Sequence, residues 1–373
     1  MSEAQRLAGM PRIALAQPML GADEKRAVME VLESGQLAQG PVVAAFEKAF
    51  ARWVGVEHAV AVSSGTAGLH LALLAHGVGA GDEVITTPFT FIASANAVLF
   101  TGASPVFADV EADTFCIDPA LVEAAITPRT RAILPVHLYG HPAAMMELGA
   151  IARRHGLHLI EDACQAHGAT VGGHKVGALG HTAVFSLYPT KNMTSSEGGF
   201  VTTDDGAIAA TVRSLRQHGE TERYHHDVLG YNYRMTDVAA AIGLAQLARV
   251  DGFNAARRRH AGILSDRLAG TRGLTTPQER AGCGHVYHQY TVRVADGRDM
   301  LRSRLAVHGI ATGVYCPVPV HLQPVYARRG YDRQSLPVAE RMAREVLSLP
   351  VHPALTEADV HRIVRAVREE RES

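Results

Sequence analysis

Lysine is scarce in this chain of 373 residues: of its 36 basic residues, all but Lys25, Lys48, Lys175 and Lys191 are arginine. Chemistry that needs a primary amine therefore has a short list of candidates. Cysteine is scarce as well, and Cys116, Cys164, Cys283 and Cys316 are far apart. They form neither a C-x-x-C pair nor a dense framework, which excludes a disulfide scaffold and a structural zinc site and suits a reducing cytosol. No His/Cys/Asp cluster has ligand spacing, so no metal is expected. No run approaches the roughly 18 apolar residues of a membrane span. Met1 to Leu20 carries Glu3 and lacks the continuous apolar core of a secretion signal, so the expectation is a cytoplasmic protein. An excess of one charge is missing too. The 36 basic residues nearly cancel 37 acidic ones, which removes the general field that attracts nucleic acid. The triplet Arg257-Arg258-Arg259 reads as a solvated helix face. Repeats and low-complexity tracts are absent, which excludes solenoids.

What is present is a chain with 47% hydrophobic and 20% charged residues, enough to bury a substantial core. Helical spacing of apolar residues appears over about 22–33 and 41–53. Short apolar runs then follow at 58–62, 84–86, 106–110, 132–136 and 157–160, alternating with helical segments near 65–77, 91–101, 118–126 and 143–155. Strands separated by helices of that length imply crossover connections and a mostly parallel sheet covered on both faces. Further strands are expected at 182–187 and 199–203 and a helix at 205–217. Met235 to Leu264 reads as one nearly continuous helix, of the kind that bridges two domains. Beyond it, a strand within 286–294 and helices at 298–308, 337–347 and 356–370 suggest a smaller α/β domain.

In an open α/β sheet, ligands sit beyond the carboxyl ends of the strands. Three such ends carry unusual residues. The first continues into Ser63-Ser64-Gly65-Thr66-Ala67-Gly68, where small residues and a helix start offer N–H groups and the Thr66 hydroxyl to an anion. An ordinary helix capped by Ser64 is the competing account. Another ends in Glu161-Asp162-Ala163-Cys164-Gln165, two acids after an apolar run that should be buried. A protonated pyridine nitrogen would offset the cost of such a carboxylate, and so would an ion pair with one of the arginines. The third, Phe185-Ser186-Leu187-Tyr188-Pro189-Thr190-Lys191-Asn192, holds a lysine on a proline-containing turn. In a partly desolvated cleft that amine would become a nucleophile, whereas on an open loop it would be an ordinary surface lysine. Lys25 lies in an acidic helix start beside Asp23 and Glu24, Lys48 follows Glu47 on an amphipathic helix, and Lys175 in Gly172-Gly173-His174-Lys175 reads as a hairpin turn. Phosphate cradle, buried acid and lysine, in that order, are the three needs of a pyridoxal phosphate site.

With these residues in place, the chain resembles the DegT-like sugar aminotransferases. The match runs from about Pro18 to about Val360 and includes Gly35–Pro41, Ser63–Leu69, Thr90-Phe91-Ile92-Ala93-Ser94, His137-Leu138-Tyr139-Gly140, Glu161–Ala169, Lys191-Asn192, Glu197-Gly198-Gly199, Gly230–Met235, His321-Leu322-Gln323-Pro324 and Ser348-Leu349-Pro350. The resemblance implies fold type I: a large cofactor-binding domain over 1–250 with a mostly parallel seven-stranded sheet covered by helices, its N-terminal segment free to pack on a small α/β domain over 251–373. It implies that Gly65, Thr66 and Ser186 hold the cofactor phosphate, that Phe91 stacks on the pyridine ring, that Asp162 pairs with the ring nitrogen and that Gln165 sits near the ring oxygen. Lys191 would be both Schiff-base partner and proton carrier. Asn232 would reach the phosphate in a neighbouring subunit, which implies a homodimer with shared sites. His321 would face the substrate.

Relatives with the His-Leu-Gln-Pro segment commonly carry His-Tyr-Pro before it, whereas here Tyr315-Cys316-Pro317 stands there, so the substrate pocket transfers least. Relatives that replace the lysine with histidine become dehydratases; the presence of Lys191 favours amino transfer. The expected reaction moves an amino group from glutamate or glutamine to a nucleotide-linked keto-deoxysugar, the His-Leu-Gln-Pro segment leaning toward a 3-ketone. A ketoinositol acceptor from aminoglycoside pathways is the enzyme alternative. A cofactor-bearing sensor without turnover is the alternative from another class.

Overall fold

The computed structural model describes residues 11–372. The first half of the Met1–Leu20 segment and Ser373 lie outside the described residues. After two helices, α1 (Ala22–Ser34) and α2 (Pro41–Val54), the chain alternates strand and helix. The order is β1 (His58–Val62), α3 (Gly65–Ala75), β2 (Glu83–Thr86), α4 (Ala93–Phe100), β3 (Ser104–Phe107), α5 (Pro119–Ala124), β4 (Thr130–Leu134), α6 (Met145–His155), β5 (His158–Asp162), β6 (Thr182–Ser186), β7 (Gly199–Thr203) and α7 (Gly206–Arg216).

These seven strands make one sheet in the order β1-β7-β6-β5-β4-β2-β3. Only β7 runs antiparallel, against both β1 and β6; the remaining pairs are parallel. The apolar runs Val60–Val62, Val84–Ile85 and Ala183–Phe185 are buried because helices cover both faces. The mostly parallel seven-stranded α/β architecture expected from the sequence is the one observed. It brings the carboxyl ends of β1, β2, β5 and β6 to one edge, together with the amino end of β7. An aromatic cluster braces α2 on the sheet, with Phe50 stacked on Phe200 at 4.1 Å and Phe46 edge-on to Phe200 at 4.7 Å.

Between Met235 and Leu264 the structure departs from the expected continuous helix. Two helices, α8 (Asp237–Leu247) and α9 (Val250–Leu268), are broken at Ala248-Arg249. The break follows from a buried acid elsewhere: Gln246 Nε2 and Arg249 Nη1 both turn to Glu24 Oε1 at the start of α1, at 2.6 and 2.9 Å. The second sheet is antiparallel, β8 (Leu274–Thr275), β9 (Tyr290–Val294) and β10 (Val346–Leu349), with β9 central. Helix α9 covers it together with α10 (Arg298–Val307) and α12 (Glu357–Glu372), and Ile13 joins the same core through a bridge to Ile310. Helix α11 (Pro337–Glu345) ends two residues earlier than expected, because Val346 already pairs with Arg293 as the start of β10.

The hairpin expected around Lys175 is present. Gly172 and Gly173 hold φ of 57° and 85° between Thr170–Val171 and His174–Lys175, a turn that favours glycine. Lys175 Nζ lies 4.2 Å above the Trp53 ring and donates to the Trp53 carbonyl. Among the described residues, no helix is long and apolar enough to cross a membrane.

At the opposite end of the sheet, His76 after α3, His158 at the start of β5 and His181 before β6 gather, the His76 ring centroid 4.4 Å from His158 and 6.4 Å from His181. Burial, then the neighbouring His158 and His181 charges, push His76 down to about 4 against the opposing pull of Asp205. A histidine held below its free value of about 6.5 binds its proton more readily in the unfolded chain. Its neutral form therefore favours folding above pH 6.5, and that contribution is lost as pH falls from 6.5 toward 4. His76 Nε2 lies 2.8 Å from Thr182 Oγ1, a hydrogen bond that a glutamine amide can replace, so we expect His76→Gln to flatten this part of the stability profile measured by urea unfolding; an unchanged slope would contradict the assignment.

Candidate active site

The site is built where β1 gives way to α3. Ser64 caps the helix, its Oγ accepting the Ala67 N–H at 3.1 Å, which leaves the first N–H groups of the helix, at Gly65 and Thr66, pointing out of its start. Capping and cradle are therefore compatible, and the Ser64 cap is as the sequence suggested. A methyl group on Gly65 would stand 2.9 Å from Cys164 Sγ and 2.9 Å from Ser186 Cβ. One on Gly199 would stand 2.9 Å from Gly65 N. The ends of β1, β5 and β6 and the start of β7 thus meet at a closeness that only glycine allows. Thr66, in the first turn of the helix, and Ser186, whose Cβ lies at the Gly65 contact, are both partly exposed.

The two acids after β5 have different surroundings. Glu161 is 0% exposed and accepts four hydrogen bonds: His137 Nε2 and Gly177 N at 2.9 Å on Oε2, Leu179 N at 2.9 Å and Gly180 N at 2.7 Å on Oε1. His137 Nδ1 accepts the Ala143 N–H, which fixes Nε2 as the protonated nitrogen. Burial works to raise the Glu161 pKa, but its donors, His137 foremost, hold it below the usual carboxylate range. Asp162, one residue on, faces the opposite side. Ser94 Oγ donates to its Oδ2 at 2.7 Å and Cys164 N to its Oδ1 at 3.2 Å. No arginine pairs with either acid among the described residues, so the ion pair considered from the sequence is not the arrangement adopted.

Lys191 closes the turn after β6, its N–H donating to the Tyr188 carbonyl at 2.9 Å. Burial lowers the pKa of its amine, while the nearby Cys164 and Asp162 oppose the shift. Two buried imidazoles feel its charge. His167, pushed by burial down to about 3, packs on Phe185 at 5.3 Å, and His288 is likewise held neutral by burial. Next in the chain, Asn192 Nδ2 donates to Asn254 Oδ1 at 2.8 Å and to the Val286 carbonyl at 3.0 Å, tying the lysine turn to α9. Arg257 corrects the solvated-face expectation for the arginine triplet. It is 5% exposed, donates to the carbonyls of Tyr287 and His288, and burial lowers its pKa to about 10; Arg258 and Arg259 are exposed.

Phe91 is 66% exposed, a free aromatic face on the turn that leads into α4. Gln165 Oε1 accepts the Tyr139 N–H at 2.9 Å, which leaves its amide N–H groups as the available donors. Tyr315 is partly buried, its phenol raised by burial with Gln289 opposing, and Gln289 N in turn donates to the Tyr139 carbonyl. Asn232 is exposed and pairs through its backbone with Gln217. His321, expected to face the substrate, lies beneath the surface. It is 0% exposed, in a short turn packed beside Phe107, with Nε2 3.4 Å from Glu340 Oε1. Sequence reasoning missed Ser94, Asn254 and His288. Ser94 stood inside a quoted segment, and the only available signal was a hydroxyl three residues after the exposed aromatic.

Contacts thus link Phe91, Ser94, Asp162, Cys164, Gly65 and Ser186, and the Lys191 amine lies within the field of Asp162 and Cys164. A phosphorylated pyridine aldehyde fits this set. The glycine cradle and hydroxyls suit a phosphate, the uncovered Phe91 face suits a flat ring, no arginine pairs with Asp162 among the described residues, and the Lys191 side chain is half-buried.

The sequence pattern of the DegT/DnrJ/EryC1/StrS aminotransferase family matches residues 18–368. The chain is 45% identical to a pleiotropic regulatory protein of Geobacillus stearothermophilus over 92% of its length and 93% of the relative's. It is 45% identical to the GDP-perosamine synthase of Caulobacter vibrioides over 97% and 99%. It is 46% identical to the dTDP-3-amino-3,4,6-trideoxy-alpha-D-glucose transaminase of Streptomyces venezuelae over 94% and 92%. Among solved structures, S. venezuelae DesV in complex with a ketimine intermediate superposes with a TM-score of 0.95 at 44% identity, covering 98% of this chain and 100% of that one.

The contrast between the two acids is testable. Glu161→Gln sets an amide N–H against N–H donors in a site without water and should cost about 3 kcal/mol in urea unfolding. Asp162→Asn should cost less than about 1 kcal/mol. Equal losses would contradict the division of labour between them.

Proposed function

The chain belongs to the DegT/DnrJ/EryC1/StrS aminotransferase family, and we propose that it moves an amino group from glutamate or glutamine to the ketone of a nucleotide-linked deoxysugar. It is a pyridoxal-phosphate-dependent aminotransferase. The names of two relatives carry a GDP-linked and a dTDP-linked compound, which supports a nucleotide-linked sugar as the acceptor class. The observation that carries the reading is the close meeting of Gly65, Cys164 and Ser186 at the strand ends, with Asp162 two residues before Cys164 and the half-buried Lys191 on the turn that follows Ser186.

When bound, the cofactor supplies an aldehyde that takes up the donor nitrogen and a ring that accepts the electrons released at the donor carbon. The remaining work falls to the chain. The N–H groups of Gly65 and Thr66, with the Thr66 and Ser186 hydroxyls, bind the phosphate. Phe91 covers one ring face. Asp162 would pair with the ring nitrogen. The amide N–H of Gln165, oriented by Tyr139, donates to the ring oxygen. Lys191 Nζ would hold the aldehyde and, when free, would accept the proton from the donor carbon. Burial favours this step because an amine with a lowered pKa is more often neutral. Asn232, exposed at its bridge, is assigned to the cofactor phosphate of a second copy, giving a cytoplasmic homodimer with shared sites. With the chain divided near residue 250, the acceptor lies between the large domain and the segment at Tyr315.

A second reading, a cofactor-bearing sensor without turnover, is favoured by the similarity to the pleiotropic regulatory protein. The test is a half-reaction. Purified protein with pyridoxal phosphate and glutamate should release 2-oxoglutarate stoichiometrically, and nucleotide-linked amino sugars should outperform amino-inositols in reverse. Lys191→Ala should lower turnover by about a thousandfold or more. Bound cofactor with no keto acid from any donor would support the sensor instead.

A further inference from the structure

Asp162 is approached by a short file of hydroxyls that the reaction above does not use. Ser94 Oγ lies 2.7 Å from Asp162 Oδ2, and Thr90 Oγ1 lies 3.0 Å from Ser94 Oγ. Thr90, Ser94 and Asp162 are buried, at 4%, 1% and 5% exposure. An ionised carboxylate can only accept, so Ser94 gives it its single hydroxyl proton, and Thr90 is left to donate to Ser94. The other acceptor near Ser94, the Phe91 carbonyl, stands farther off at 3.3 Å. In a buried site such a chain is cooperative, each hydroxyl polarising the next toward the anion. Cys164 N–H meets the other carboxylate oxygen at 3.2 Å, so the group is gripped from both sides and cannot turn without breaking a hydrogen bond. Thr90 and Ser94 also bracket Phe91, and Ser94 N donates to the Phe91 carbonyl at 3.2 Å. One turn therefore presents the aromatic face and fixes the acid.

We propose that Ser94, backed by Thr90, is a positioning residue for amino transfer: it holds the Asp162 carboxylate in one orientation toward the cofactor ring nitrogen. The proposal rests on the function above, in which Asp162 pairs with that nitrogen. The Ser94 hydroxyl is spent on Asp162 and is assigned no contact with substrate or cofactor. Its effect passes through Asp162 and should vanish when Asp162 is removed.

The experiment measures pyridoxal phosphate affinity of the full-length protein by absorbance titration, with steady-state kinetics alongside, in a double-mutant cycle. Ser94→Ala should weaken cofactor binding and lower kcat by on the order of 10- to 100-fold, the loss expected for one hydrogen bond to a charged group. KM for the amino donor should stay within about 2-fold, and Ser94→Thr should restore both affinity and kcat. In an Asp162→Ala background the same Ser94→Ala change should alter affinity by less than about 3-fold. Thr90→Val should give a smaller loss of about 3-fold. Equal losses in both backgrounds, or failure of Ser94→Thr to rescue, would show that Ser94 merely supports the fold, and the proposal would fall. Native protein that binds no pyridoxal phosphate would instead overturn the proposed function, so the two failures are distinguishable.

Discussion

A carboxylate without access to water, Glu161, is the fixed point of this site. Burying an unpaired carboxylate costs several kcal/mol, and here four N–H donors offset that cost. The donors come from three places in the chain: His137 beyond β4, and the Gly177 and Leu179-Gly180 amides ahead of β6. The carboxyl end of β5 is thereby held in register with β4 and β6. Because side chains alternate along a strand, fixing Glu161 on one face fixes Asp162 on the other. The acid that stabilises and the acid assigned to the chemistry are neighbours for that reason.

Close backbone approach is the second constraint. Gly65 and Gly199 let β1, β6, β7 and the Cys164 turn meet without side chains between them, which concentrates N–H groups and hydroxyls around one small volume. Arginine does most of the structural bracing elsewhere: Arg216 pairs with Glu47 and Arg249 with Glu24, and Arg257 donates to the carbonyls of Tyr287 and His288. A guanidinium stays charged even when buried, so these residues brace the fold without offering a titratable amine. Lys25 and Lys48 are exposed and Lys175 lies against Trp53, which leaves Lys191 as the amine within the field of Asp162.

Much of this was legible in the sequence because it is local. Alternating apolar runs marked the strands, Ser64 marked a helix start, the Gly172-Gly173 pair marked the hairpin, and the order of Gly65, Asp162 and Lys191 marked the site. Long-range partners were not legible. Nothing in the string says that Glu161 takes amides rather than an arginine, since its donors are 16 to 24 residues away or come from backbone. The break at Ala248-Arg249 depends on Glu24, more than 200 residues earlier. Arg257 looked like one of three solvated arginines because its acceptors are carbonyls that a later segment brings to it. The burial of His321 likewise depends on Phe107 and Glu340, which sequence spacing does not relate to it.

The central claim is that one amine of four carries the cofactor. Borohydride reduction of the protein loaded with pyridoxal phosphate, followed by peptide mapping, tests it most directly. The account predicts a stable pyridoxyl label on the peptide containing Lys191 and nowhere else. A label on Lys25, Lys48 or Lys175, with Lys191 unmodified, would contradict it.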